Sequence, residues 1–161
     1  MNNNGLMKIM VCFLLIIILN VNYSCAQIKN HMQMNPKEMT IEFIKDYKIW
    51  NDYAYEIDTI DKKDGTEKAK NAYHNLILKY CRPNLKYQNI AFGSDSNHDL
   101  AYEKIVSSEI KNDSAIIKTK YIHDRFSYIH HDFEYVYIIF NDRWFLEHVY
   151  LVDEFGKYEG L

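Results

Sequence analysis

The chain has 161 residues, of which 48% are hydrophobic and 25% charged, with only two prolines and five glycines. These proportions describe one globular domain with material for a core, and they exclude a long linker or low-complexity chain. A formal net charge of −3 excludes a general nucleic-acid binder, which needs a basic stripe to displace phosphate counterions.

The first segment reads as an address. Lys8 precedes an apolar run of eleven residues, Ile9 to Leu19. A membrane span needs roughly 20 such residues, whereas a signal-peptide core takes about 7–15. Met7-Lys8 makes a conventional signal start. Two processing routes fit. Small residues stand before Gln27, as signal peptidase prefers, and Asn22-Tyr23-Ser24-Cys25 has the form of a degenerate lipobox with Cys25 as the lipidated residue. Asn22 departs from the apolar residue usual at its place. The expected organisation is a signal at 1–25, a short spacer at 26–35 and one domain at 36–161, exported to the periplasm or anchored as a lipoprotein. Cys81 then remains alone, so the mature domain has no internal disulfide and depends on its core. Loss of Lys8 takes the net charge from −3 to −4.

From Pro36, the series Ile41, Phe43, Ile44, Tyr47, Trp50, Tyr53, Ala54, Ile57, Ile60 steps by threes and fours and predicts a helix over 37–60. Asp61-Lys62-Lys63-Asp64-Gly65 stops it. Ala69, Ala72, Tyr73, Leu76, Ile77 and Tyr80 form one face of a second helix, ended by Arg82-Pro83. Residues 85–92 fit a short strand or a helical turn, and 93–99 is a turn-rich loop. From Tyr102 the period becomes two. Turns at Asn112-Asp113 and Asn141-Asp142 divide at least three antiparallel strands, the last running from Arg143 to Val152. Two helices followed by a meander predict an α+β fold with helices on one face of a curved sheet.

Chemistry is sparse. His123, His130 and His131 stand near Asp124 and Asp132, but adjacent strand residues point to opposite faces, so a solvated hairpin end is expected and not a metal site. Asp95, Asn97 and Asp99 alternate as in a calcium loop, yet Leu100 and Val106 occupy the places of the required glycine and glutamate. Cys81, on the apolar side of a helix end, reads as a buried thiol. No GxSxG, phosphate-cradling glycine loop or HExxH is present, so no catalytic residue and no cofactor is assigned. In the terminal strand, alternation puts Trp144, Leu146, His148, Tyr150 and Val152 on one face and Phe145, Glu147, Val149 and Leu151 on the other. Glu147 and His148 are the pocket candidates. Glu147, amid apolar neighbours, either acts as a desolvated general base or pairs with an arginine such as Arg143 or Arg125.

The element order, together with LILKYCRPNLKYQ (76–88), FGSDSNHDLAYEKI (92–105) and the stretch 133–161, resembles the NTF2-like cone fold and, within it, the NTF2-fold immunity proteins of bacterial polymorphic toxin systems, including the Rhs-associated group. That resemblance implies a protein that binds and neutralises a cognate toxin domain by contact, without catalysis. Its partner surface would hold Trp144, Tyr150, Phe155 and Tyr158 as aromatic anchors, rimmed by Asp153, Glu154 and Glu159. A signal peptide departs from the cytoplasmic habit of many such proteins. The rival expectation is an exported protein that binds a small ligand, or acts as an enzyme, inside the cone. A deep pocket with ionisable groups favours the rival; a closed apolar interior favours the docking surface.

Overall fold

The structure, a computed structural model, describes residues 34–123 and 130–161. The signal segment with Cys25, nearly all of the spacer, and the hairpin tip 124–129 with Asp124 and Arg125 lie outside the described residues. Asn35–Leu161 forms one compact unit: two helices packed against a five-stranded antiparallel sheet. Among the described residues, no helix is long and apolar enough to cross a membrane.

Helix α1 (Pro36–Ile60) starts where Asn35 and Glu38 cap each other, Glu38 N–H donating to Asn35 Oδ1 at 3.0 Å and Asn35 N–H to Glu38 Oε2 at 3.1 Å. Phe43, Ile44, Tyr47, Trp50 and Ala54 bury as the spacing predicts, while Ile41, Tyr53 and Ile60 stay exposed. The buried row also takes in Met39, Thr40 and Asn51.

Gly65 opens helix α2 (Gly65–Tyr80), a different role from the stop signal expected of it. A Cβ at Gly65 would stand 2.5 Å from the Ile57 carbonyl oxygen and 2.7 Å from the Asp58 Cα, so only glycine admits the tight corner between the helices. Trp50 Nε1–H donates to the Ala69 carbonyl at 3.0 Å and Tyr80 O–H to Asp46 Oδ2 at 2.6 Å, fixing α2 on α1. The helix ends at Tyr80, just ahead of Arg82-Pro83. Residues 85–92 form neither a strand nor a helical turn; the segment runs on without regular structure.

The sheet is a meander, β1 (Glu103–Lys111), β2 (Ser114–Ile122), β3 (His130–Phe140), β4 (Arg143–Asp153) and β5 (Gly156–Glu159), in that spatial order. Asn112, Asn141 and Asp142 take positive φ at the two hairpin turns, a conformation their short polar side chains tolerate. Ala115, Ile117, Thr119 and Tyr121 of β2 and Phe133, Tyr135 and Tyr137 of β3 form the floor beneath the helices. Tyr137 reaches up to the Thr40 hydroxyl at 2.8 Å.

Strand β4 departs from simple alternation. Val136 pairs with His148 but the next residue, Tyr137, pairs with Leu146, so Glu147 is the extra residue of a bulge. The bulge resets the phase: Leu146 and Val149 both bury against the core rows, and His148 and Tyr150 turn away with their partners Val136 and Glu134. The stretch after Val152, where no further strand was expected, folds back as β5. Asp153 Oδ1 accepts the N–H groups of Phe155 at 2.8 Å and Gly156 at 3.0 Å, and Gly156 sits at φ 151°, a region that favours glycine.

Candidate functional site

One cavity of about 310 Å³ opens between the helices, the 88–98 connection and the end of the sheet. Tyr47 and Trp50 come from α1, Tyr73 from α2, Phe133 and His131 from β3, Leu151 and Tyr158 from the C-terminal hairpin, and Leu161 from the chain end. The rings pack on one another, with centroids 5.1 Å apart for Tyr47 and Trp50 and 4.6 Å for Trp50 and Tyr73. Gln88, Asn89 and Asn97 add carboxamides, Glu159 lies at the rim, and among the described residues no lysine or arginine lines the space.

The polar centre of this cavity is His98, only 3% exposed although it sits in a loop rich in serine and aspartate. Two features drive the loop inward. Asn51 binds both polar atoms of Gly93, and Ser96 Oγ accepts from the His98 N–H and donates to the His98 carbonyl at 2.7 Å. The ring then lies 4.7 Å from that of Tyr47 and 4.5 Å from that of Phe133.

Behind it stands Glu103, the first residue of β1, 1% exposed. Its Oε2 is 2.9 Å from His98 Nδ1, and its Oε1 accepts the hydroxyls of Tyr135 at 2.7 Å and Thr119 at 2.5 Å. Tyr135 Oη is also 2.8 Å from His98 Nδ1. Three donors on two oxygens are what a desolvated carboxylate needs, since an unpartnered one would cost several kcal/mol. Burial and the neighbouring Glu103 together hold the Tyr135 phenol well above its usual range.

In the neutral imidazole, a proton on Nδ1 serves Glu103 and leaves a lone pair on Nε2. Among the described residues Nε2 has no hydrogen-bond partner, yet it is not sealed off. His98 is among the residues that line the cavity. Beside it, burial first, then the two neighbouring imidazoles His130 and His98, lowers the His131 pKa and favours its uncharged form. Burial pushes the Tyr47 phenol up to about 12.

The residues expected to matter lie elsewhere. Neither Glu147 nor His148 lines the cavity. Glu147 sits in the bulge, where its carboxylate takes two hydrogen bonds from Arg82, one of them from Nε at 3.0 Å; the pairing is with an arginine, Arg82 and not Arg143, while Arg125 lies outside the described residues. His148 lies on the outward face, stacked on Tyr150 at 5.1 Å, with its Nδ1 3.0 Å from Glu159 Oε1. Burial and the nearby Glu147 raise the Cys81 thiol to about 12, an inert group at the end of α2.

Nor do the seven residues of the expected partner surface form one patch. Tyr158 pairs with Leu151 and lines the cavity, while Glu159 pairs with Tyr150, stands at the cavity rim and has its carboxylate 3.0 Å from His148. Lys157 crosses the Tyr150 ring at 5.8 Å and reaches Glu134 at 2.6 Å, and Lys118 also bridges Glu134, so this outer face carries balanced charge. Trp144 is half-buried opposite Ile139. Asp153 is occupied in its turn, which leaves Glu154 and Phe155, 80% exposed, at the hairpin tip.

His130 and His131 have no third ligand: among the described residues no three His, Cys, Asp or Glu side chains converge as a metal site. The site at His98 and Glu103 was missed because a polar loop reads as solvated. Its trace in the sequence is Thr119, which interrupts the apolar row Ala115, Ile117, Tyr121 with a hydroxyl. No family model, no curated protein and no solved structure matches this chain.

Proposed function

We propose that the chain is an exported protein of NTF2-like architecture that binds a small organic ligand in the cavity between its helices and sheet. The observation that carries the reading is His98, which lines an aromatic cavity while its Nδ1 is fixed by the buried Glu103. Burying a carboxylate, an imidazole and two hydroxyls costs more than an apolar core of the same shape. A cavity beside them gives that arrangement a use, because a few oriented polar groups in an apolar pocket are what select a ligand. Two bulges, at Val106 and Glu147, bend strands of the sheet beneath the helices and support the cone reading.

The test is a nitrogen-15 NMR screen of the purified protein against small ring compounds. Binding should move the His98 side-chain and Phe133 signals together. A screen at about millimolar concentration that leaves His98 unmoved, or that moves only surface residues, overturns the reading.

A second reading keeps the immunity expectation. Phe155 at the tip of the β4–β5 hairpin, flanked by the acidic Asp153 and Glu154, has the form of an aromatic anchor for a basic partner protein. Capture of the protein by a toxin domain encoded next to it, lost on Phe155→Asp, supports this. Absence of binding at micromolar concentration sinks it.

A further inference from the structure

We infer that the cavity takes an uncharged ring compound carrying a hydroxyl or N–H group, which donates its hydrogen to the unprotonated Nε2 of His98. The inference rests on the pocket reading above and names the chemistry of its ligand.

Three observations set the class. The first is charge. Among the described residues no lysine or arginine lines the cavity, so a carboxylate or phosphate would be buried there without a counter-ion. Of the two acids nearby, Glu103 is closed off behind His98, and Glu159, which lines the rim of the cavity, has its carboxylate 3.0 Å from His148 Nδ1. A cation entering this space would meet two imidazoles, and a Glu159 carboxylate already turned to His148.

The second is shape. Tyr47, Trp50, Tyr73 and Phe133 present ring surface from three elements. Rings pack on rings through offset or edge-to-face contact, which favours a flat or ring-bearing body over a flexible chain. At about 310 Å³ the space is at the low end of the roughly 300–1,000 Å³ typical of small-molecule sites, which suits a single ring with few substituents.

The third is polarity. Glu103, Tyr135 and Thr119 together occupy the Nδ1 side of the imidazole, so the ring cannot turn to offer that edge. With Nδ1–H on Glu103, the neutral imidazole leaves Nε2 as an acceptor. A ligand hydroxyl or N–H satisfies it, whereas an ether or hydrocarbon of the same size leaves Nε2 dry and without a partner.

The experiment uses four probes of one size on the intact protein: phenol, its methyl ether anisole, benzoate and benzylammonium, each titrated by Trp fluorescence and by nitrogen-15 NMR of the imidazole. Phenol should bind about tenfold more tightly than anisole, with benzoate and benzylammonium weaker than either, and should shift the His98 Nε2 resonance. His98→Asn keeps a donor in the place of Nδ1 and removes Nε2; it should bring phenol down to the affinity of anisole and leave anisole unchanged.

Should that variant not fold, the Nε2 shift in the unaltered protein decides the matter alone. If phenol and anisole bind equally, or benzoate or benzylammonium binds best, while His98 and Phe133 signals still move, the ligand class is wrong and the pocket stands. If none of the four moves those signals at about ten millimolar, both the class and the pocket reading fall.

Discussion

Asn51, on the buried face of α1, holds the backbone of Gly93, 42 residues away, by two hydrogen bonds: its Nδ2 donates to the Gly93 carbonyl at 2.9 Å, and the Gly93 N–H donates to its Oδ1 at 3.2 Å. A side-chain amide thereby substitutes for a strand partner, and the loop that carries His98 is drawn onto the helix layer. Replacing Asn51 by Ala strands both Gly93 groups. Since each unsatisfied buried group costs about 1–3 kcal/mol, Asn51→Ala should destabilise the protein by about 2 kcal/mol or more in urea titration, and should loosen the loop in hydrogen exchange. A loss below about 0.5 kcal/mol would show that the clamp is dispensable.

Glu103 gives a second expectation. Glu103→Gln preserves size but sets an NH2 group against donors from Thr119, Tyr135 and His98. At least one donor is left without an acceptor, for a loss of about 2–3 kcal/mol. Tyr135→Phe removes one of those donors, so in the double variant the losses should fall short of additive. A double-mutant cycle by thermal and chemical denaturation measures the coupling. Strict additivity would mean that the three side chains do not act as one network.

Gly65→Ala sets two effects against each other. At the first helical position alanine gains up to about 1 kcal/mol over glycine, chiefly by restricting the unfolded chain. Its Cβ, however, would stand 2.5 Å from the Ile57 carbonyl oxygen and 2.7 Å from the Asp58 Cα, and both are main-chain atoms that cannot swing aside. Overpacking of this kind costs about 1–3 kcal/mol, so the net change should be destabilising, read as a lower midpoint in denaturation. A stabilised variant would show that the corner between the helices gives way.

The core tyrosines predict alkaline sensitivity. Burial raises Tyr47 to about 12 and pushes Tyr73, Tyr80, Tyr135 and Tyr137 up as well. A raised folded pKa means that the native state holds the proton more tightly, so its contribution is complete below about 10 and is lost as pH climbs toward the folded value. Tyr47 alone accounts for a loss of about 2 kcal/mol by pH 12. Absorbance at about 295 nm should therefore show some tyrosines titrating near pH 10 as free phenol does, with the buried ones ionising together as circular dichroism is lost. Smooth titration of all of them with the fold intact would contradict their burial.

Much of the fold was legible in the chain. The three-and-four spacing from Phe43 to Ala54 and from Ala69 to Tyr80 located both helices, and Asn112-Asp113 and Asn141-Asp142 marked two hairpins. What escaped was local in cause and distant in effect. One extra residue at Glu147 reversed the faces of half of β4, because a sheet alternates with period two and any insertion flips everything on one side of it. Strand β5 is four residues long and mostly polar, too short for a periodic signal, and takes its register from Asp153 and Gly156.

The candidate site was the least legible part. Ser96-Asn97-His98-Asp99 has the composition of a solvated turn, and alone it would be one. By itself the sequence determined the order and type of the elements, since those follow from side-chain periodicity and from turn residues a few positions apart. Only the tertiary structure decided which polar residues are interior. His98, Glu103, Thr119 and Tyr135 come from a loop and three strands, and they acquire a common purpose only where burial removes water and makes each the necessary partner of another.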